Sequence, residues 1–179
     1  LSLDHLPGIL DRLSRIGVED DCPPEETLER QTLTLVALGV GLAAFLWSIS
    51  YLALGRPWAA LIPGAYSFVT LFTSLRLARS KAFASFKAGQ IALLLPLPFM
   101  LQWVLGGFAS SGAVSVWSFI AAAMAVAFGF RHRLMFGTFL ALVGVSVVVD
   151  PWLQEAIEPL DPTASLLFFG ANLAGTSIT

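Results

Sequence analysis

The chain has 179 residues, of which 56% are hydrophobic and only 12% are charged, and its mean hydropathy is +0.79. Soluble domains carry about 25% charged residues, so the composition excludes an ordinary soluble protein and predicts an all-α polytopic membrane protein. The net charge of −2 gives no indication of nucleic acid as a partner. The single cysteine, Cys22, excludes an internal disulfide and a cysteine cluster for a metal ion.

Residues 1–31 form a cytoplasmic segment that begins with the pattern of a short amphipathic helix. Apolar residues recur there at helical spacing, namely Leu6, Ile9, Leu10, Leu13 and Ile16. Pro7 suits the first turn of such a helix and Gly17 suits its end. We expect the helix to lie on the cytoplasmic membrane surface, or to pack against a cytoplasmic domain. A polar linker follows it, and Pro24 with Glu25 and Glu26 is predicted to begin the helix that becomes the first span.

A bilayer core of about 30 Å requires roughly 20 mostly apolar residues in a helix. Residues 32–179 contain six such stretches and are predicted to form a membrane domain of six transmembrane helices. The predicted spans are 32–54, 58–75, 88–105, 112–130, 134–149 and 164–179. Because the last stretch has only 16 residues and the chain begins at Leu1 without methionine, we expect a fragment cut inside, or just at, its sixth helix.

The basic residues predict the orientation of these spans, since Lys and Arg in short loops stay on the cytoplasmic side. Nine of the ten fall on one side of the predicted membrane domain. Arg56 falls on the other side, together with the acidic loop 150–163. Both termini are therefore expected in the cytoplasm.

The segment GGFASSG, residues 106–112, interrupts the apolar sequence between the third and fourth predicted spans. A single helix through it would carry Lys87 or Arg131 far outside the membrane, so we predict a tight outer turn. Its glycines permit tight backbone geometry. Pro96 and Pro98 are expected to bend the third span and to open space near Gln102 on the outer side.

No residue pattern predicts catalysis or metal binding. The six predicted spans contain no ionisable side chain, which argues against a proton relay or a channel filter. The two histidines, His5 and His132, lie far apart in sequence, and two arginines flank His132. The predicted catalytic and metal-binding sets are therefore empty.

Uncharged polar and aromatic residues near the outer turn are the candidates for a ligand site. An unpaired amide in hydrocarbon costs several kcal/mol, so Gln102 requires a partner across the turn or in a small or lipophilic ligand from the outer side. The predicted ligand-binding set is Gln102, Ser110, Ser111, Trp117, Trp47 and Tyr51. The alternative interpretation is an aromatic belt with serines closing the helix ends.

Three further residues are predicted to serve helix packing. Gly41 and Gly175 follow Ala37 and Ala171 at four-residue spacing, which permits close approach of two membrane helices. Asn172 lies inside the last span, and a hydrogen bond to a neighbouring helix is its predicted role.

Four segments resemble the membrane-anchoring regions of bacterial class III adenylate/guanylate cyclases. The most informative is QWVLGGFASSGAVSVW at 102–117, and the others are RIGVEDDCPPEETLERQTLTLVAL at 15–38, LGRPWAALIPGAYSF at 54–68 and LLFFGANLAGTSI at 166–178. The similarity covers nearly all of residues 12–179. In that family a cytoplasmic cyclase domain follows the sixth helix, acts as a dimer and binds two metal ions through aspartates.

The resemblance implies a membrane anchor, dimerisation element and sensor for a cyclase that makes a cyclic nucleotide from a nucleoside triphosphate. It further implies a multi-pass protein of the bacterial inner membrane, with the lipid bilayer and a second copy of the chain as partners. A divalent metal is expected only in the downstream cyclase domain. The alternatives are the membrane sensor of a histidine kinase and a small structural or accessory subunit of a larger membrane complex.

Overall fold

The computed structural model describes residues 16–18 and 22–178, and residues 22–178 form helices joined by turns, with no strand among them. The helices are α1 Pro24–Ala53, α2 Pro57–Ser80, α3 Phe83–Leu94, α4 Leu97–Val104, α5 Trp117–Ala127, α6 His132–Ala156 and α7 Pro162–Ile178, with a 3-10 turn at Val114–Val116 before α5. The predicted amphipathic helix lies, except for Ile16 and Gly17, outside the described residues.

Helices α1 and α2 form a long antiparallel hairpin. Pro24 begins α1, and Glu25 and Glu26 occupy its first turn, where the helix dipole favours negative charge. Gly41 faces α2 so closely that a Cβ atom there would lie 3.1 Å from Cγ2 of Thr70. The small residue therefore permits the two helices to pack side by side.

The third apolar stretch is divided into two helices. Helical hydrogen bonding is interrupted at Leu95 and Pro96, between α3 and α4, although both residues keep right-handed helical dihedral angles. Proline removes a backbone donor and clashes with the preceding turn, so the interruption lies at the first of the two prolines from which a bend is expected.

Large apolar side chains cover the outside of the helices, which indicates a membrane-embedded protein. Four helical stretches are long and apolar enough to cross a bilayer: Pro24–Ala53, Pro57–Ser80, Phe83–Val104 and His132–Ala156. The apolar stretch Val114–Ala127 is shorter, because turns at both of its ends replace parts of the predicted span 112–130. Helix α7 has 17 residues.

Charge is separated between the two ends of the helical assembly. We name them the basic end (residues 22–30, 76–87 and 128–133) and the acidic end (54–57, 105–113 and 150–162). Of the basic residues that the structure describes, Arg56 lies at the acidic end and the others lie at the basic end. The Arg56 Nη2 atom donates a hydrogen bond to the carbonyl oxygen of Pro159, 3.2 Å away, within the acidic end.

Ion pairs hold the helices together at the basic end. The Lys87 Nζ atom lies 2.6 Å from Oε1 of Glu29, joining α3 to α1. Arg30 pairs with Glu26 and donates to the carbonyl oxygen of Gly17 at 2.6 Å, while its guanidinium lies over the ring of Phe83. These contacts leave the charged groups paired where the helices emerge from the apolar core.

Candidate functional site

The loop between α4 and the 3-10 turn is mostly buried. Its residues 105–113 make successive turns, and within it Phe108 and Ala109 are exposed. At Gly112 the backbone has φ +62°, and a Cβ atom there would lie 2.7 Å from the backbone nitrogen of Phe169 in α7. Irregular backbone can lie at membrane depth where protein covers it. The segment expected as a tight turn is therefore also a packing element.

Hydrogen bonds join this loop to α6 and α7. The backbone N–H of Phe108 donates to Oδ1 of Asp150 at 2.8 Å, and Gln154 donates to the other carboxylate oxygen. The Ser110 hydroxyl accepts a bond from the N–H of Leu160 at 3.3 Å, and Ser165 donates to the Ser110 carbonyl at 3.1 Å. Asp150 thus attaches α6 to the loop.

Asn172 connects four parts of the molecule. Its Oδ1 atom accepts hydrogen bonds from the indole N–H groups of Trp47 in α1, at 3.0 Å, and Trp117 in α5, at 2.9 Å. Its Nδ2 atom donates to the carbonyl oxygen of Gly112 at 2.9 Å. Asn172 is 0% exposed. Its amide therefore ties α7 to α1, α5 and the buried loop.

A groove of about 770 Å³ opens beside this assembly, between α4, α5 and α6. Its walls are mainly aromatic and aliphatic, and they include Phe99, Phe119, Phe139 and Val143. Polar residues contribute at Gln102, Ser115, Ser146 and Asp150. The volume lies in the range of about 300–1,000 Å³ that is typical of small-molecule sites.

Gln102 forms part of the groove wall and is 2% exposed. Its Oε1 atom is buried and receives no hydrogen bond from any residue that the structure describes. The neighbouring Trp103 donates its indole N–H to the Ser146 hydroxyl at 2.9 Å, which joins α4 to α6 next to the groove. The groove thus has mainly apolar walls, and one of its lining residues, Gln102, carries a buried amide oxygen that has no donor among the described residues.

The other members of the predicted ligand set lie elsewhere. Trp47 and Trp117 line a small apolar cavity of about 60 Å³ and donate to Asn172. Ser110 lies in a separate hollow, of about 620 Å³, between the loop and the start of α7. Ser111 is fully buried and bonds to the carbonyl of Phe108. Only Gln102 of the predicted set lines the large groove.

Tyr51 is fully buried and belongs to the interior of the bundle. Its ring stacks on that of Phe168, with centroids 4.9 Å apart, and its hydroxyl has no partner among the described residues. Gly175, predicted for helix packing, lies against the Trp117 indole, where a Cβ atom would be 2.6 Å from Cζ2. These positions place both residues in contacts between helices.

A third buried amide, Gln90 in α3, was not singled out by the sequence. Its Oε1 accepts bonds from the hydroxyls of Tyr66, at 3.0 Å, and Thr70, at 3.3 Å, and its Nε2 donates to Thr73 at 3.0 Å. The signal was available, because Gln90 lies within an apolar stretch just as Gln102 does. Its partners on α2 could not be identified from the sequence, because they depend on how the two helices pack.

Among the described residues, no group of three or more His, Cys, Asp and Glu side chains could hold a metal ion. No family model, curated protein or solved structure matches the chain. The similarity to the membrane regions of cyclases therefore depends on the four sequence segments and stays a prediction.

Proposed function

We propose that the chain is the membrane anchor, dimerisation and sensor domain of a bacterial nucleotide cyclase. In this proposal six transmembrane helices carry a ligand site on the outer side, and a cytoplasmic domain makes the cyclic nucleotide. The observation that carries the sensor role is the groove between α4, α5 and α6, with the buried Gln102 oxygen in its wall.

A structural anchor alone has no need for such a groove. A buried acceptor without a donor costs about 1–3 kcal/mol, and this cost is offset when a ligand supplies the donor. The other two buried amides, Gln90 and Asn172, have hydrogen-bond partners within the protein. Gln102 therefore differs from them in a way that favours ligand binding.

The separation of charge supports the orientation. Lys and Arg in short loops stay cytoplasmic, so the basic end faces the cytoplasm in this proposal and the acidic end faces outward. The groove reaches the acidic end at Phe108 and Asp150. A ligand from outside, or from the outer leaflet, can therefore reach it.

The contacts of the loop supply a route from the groove to α7. Asp150 and Phe108 both line the groove, and they join α6 to the loop. The same loop packs on α7 through Gly112 and Asn172. If these contacts have two alternative arrangements, a ligand that binds one of them more tightly increases its population. In this proposal α7 leads toward the cytoplasmic domain, so the change reaches that domain through α7.

Cysteine labelling tests the orientation on a Cys22→Ser background. Ala109→Cys and Glu158→Cys are exposed positions at the acidic end and should react with a membrane-impermeant maleimide added outside whole cells. Ser80→Cys, exposed at the basic end, should react only after the cells are opened. Labelling of position 80 in intact cells would contradict the proposed topology.

Expression of the complete gene in a host without cyclases tests the output. We expect cyclic nucleotide from the whole protein and none from purified residues 1–179, because the described residues hold no metal cluster for phosphoryl chemistry. A histidine kinase domain encoded after residue 179, or a stop codon there, would support the alternatives and contradict the cyclase assignment.

A further inference from the structure

We propose that the groove between α4, α5 and α6 binds an uncharged lipophilic molecule with a hydroxyl group, an alkylphenol or a fatty alcohol. This inference rests on the proposed function, since it names the ligand class of the same sensor site. It follows from the walls of the groove, from its acceptor and from its charge.

The walls select an apolar body with some aromatic character. The Phe139 ring of α6 meets those of Phe99 and Phe119 edge to face, with centroids 5.9 and 6.4 Å apart. All three rings line the groove. Edge-to-face arrangements present both ring faces and ring edges to a ligand, and either an aromatic ring or an alkyl chain packs against them.

The acceptor selects a ligand that donates a hydrogen bond. Gln102 lines the groove, and none of the described residues donates to its Oε1 atom. The terminal torsion of a glutamine side chain is soft, so the amide can turn its oxygen toward a donor that enters beside it. A ligand hydroxyl supplies that donor, whereas the matching methyl ether cannot.

The charge of the groove selects a neutral ligand. No Lys or Arg is found among the described residues that line it, so a carboxylate or phosphate finds no cation there. Asp150 is its acidic residue, and both carboxylate oxygens already accept bonds from Phe108 and Gln154. The Asp150 carboxylate repels an anion. A cation gains little from the same carboxylate, because both of its oxygens already accept hydrogen bonds within the protein.

Calorimetry on the purified protein in detergent tests the proposal with matched probes, using protein-free micelles to correct for partitioning. The probes are 4-hexylphenol, its methyl ether 4-hexylanisole, and the cation 4-hexylbenzylammonium. We expect the phenol to bind about tenfold more tightly than the anisole, because a tenfold difference in affinity corresponds to the net contribution of about one hydrogen bond. Equal binding of phenol and anisole, or tighter binding of the cation, would overturn the proposal.

Three variants locate the site. Gln102→Leu should remove the preference for phenol over anisole. Val143→Trp should fill the groove from α6 and weaken both probes at least about tenfold. Val145→Trp is the matched control, because Val145 is exposed on the same helix and does not line the groove. Its melting temperature and affinities should match those of the wild type.

Each variant result either supports or refutes the groove. Retention of the phenol preference in Gln102→Leu, or full binding in Val143→Trp, would refute it. Calorimetry requires no cyclase output, so this proposal and the proposed function fail separately. Phenol-specific binding without cyclic nucleotide from the whole gene would refute only the function. Cyclase output without the phenol preference would refute only the ligand class.

Discussion

Asn172 and Gln102 are two buried amides near the same loop, and their surroundings are opposite. Asn172 accepts two indole N–H bonds and donates one to the loop. Gln102 has an oxygen without a donor among the described residues and lines a wide groove. A buried polar group with all its partners fixes a packing arrangement, whereas one without a partner costs stability unless a ligand completes it. Substitutions should therefore affect the two residues differently.

The largest effect is expected for Asn172→Leu. The change leaves the indole N–H groups of Trp47 and Trp117, and the carbonyl of Gly112, without their partner. At about 1–3 kcal/mol for each stranded group, we expect a loss of roughly 3 kcal/mol or more in the free energy of unfolding. Unfolding of the purified protein in mixed micelles measures it. Leu173→Ala, a lipid-exposed neighbour, is the control, and an equal loss there would contradict the prediction.

Gly112→Ala should have the next largest effect, and Gly129→Ala is its matched control. Both glycines have nearly the same positive φ, +62° and +61°, so both variants carry the cost of a left-handed residue, about 1–2 kcal/mol. Only at Gly112 does a new Cβ atom collide with α7, while nothing lies within 4 Å at Gly129. We expect Gly112→Ala to lose at least about 1 kcal/mol more than the control. Equal losses would show that the loop does not pack on α7.

Gln90→Leu should have a smaller effect. Its partners Thr70 and Thr73 are hydroxyls on a helix and can turn to backbone carbonyls, as Thr73 already does toward Val69, so the Tyr66 hydroxyl is the one partner that the change strands. Hydrogen bonds between membrane helices average about 0.6 kcal/mol, with a maximum near 1.7. We expect a loss of about 1 kcal/mol in the same unfolding assay. A loss as large as that of Asn172→Leu would contradict this prediction, because the Gln90 amide in α3 would then stabilise the fold as much as Asn172 does.

Gln102→Leu should be the least destabilising of the four substitutions and should not lower the free energy of unfolding. Leucine suits an apolar wall, and the change removes a buried oxygen that has no donor among the described residues, so we expect up to about 1–3 kcal/mol of stability to be recovered. The ligand response should be lost without a fall in the melting temperature. A stability loss equal to that of Gln90→Leu, with unchanged response, would make Gln102 a structural tie.

The helical class and the local breaks could be predicted from the sequence because they depend on nearby residues. The apolar stretches, the proline at Pro96 and the glycine at Gly55 act within one turn of the chain. Helix α1 begins at Pro24, as predicted, ahead of the apolar span, because charged residues can continue a helix beyond the hydrocarbon. The end of the fourth predicted span was less accurate, since turns replace its residues 128–130.

The polar contacts could not be predicted, because they join residues far apart in sequence. Trp47 and Asn172 are 125 residues apart, and no local pattern pairs them. The sequence predicted a hydrogen bond from Asn172 to a neighbouring helix, and the structure identifies its partners as the indoles of Trp47 and Trp117, which the sequence had assigned to a ligand site. Gln102 could be singled out because an amide in an apolar stretch requires a partner, whichever residue supplies it.

The weak burial of α6 gives its few polar side chains a particular importance. Only 6% of its most apolar window is buried in the protein, and in lipid an apolar face has little preference between protein and hydrocarbon. Ser146, Asp150 and Gln154 recur every fourth residue, so they share one face of the helix. A shift of one residue would rotate the helix by about 100° and turn the Asp150 carboxylate toward lipid, which is costly. Ser146, through Trp103, and Asp150, through Phe108, therefore hold the rotational register of α6, and Gln154 keeps the Asp150 carboxylate in place.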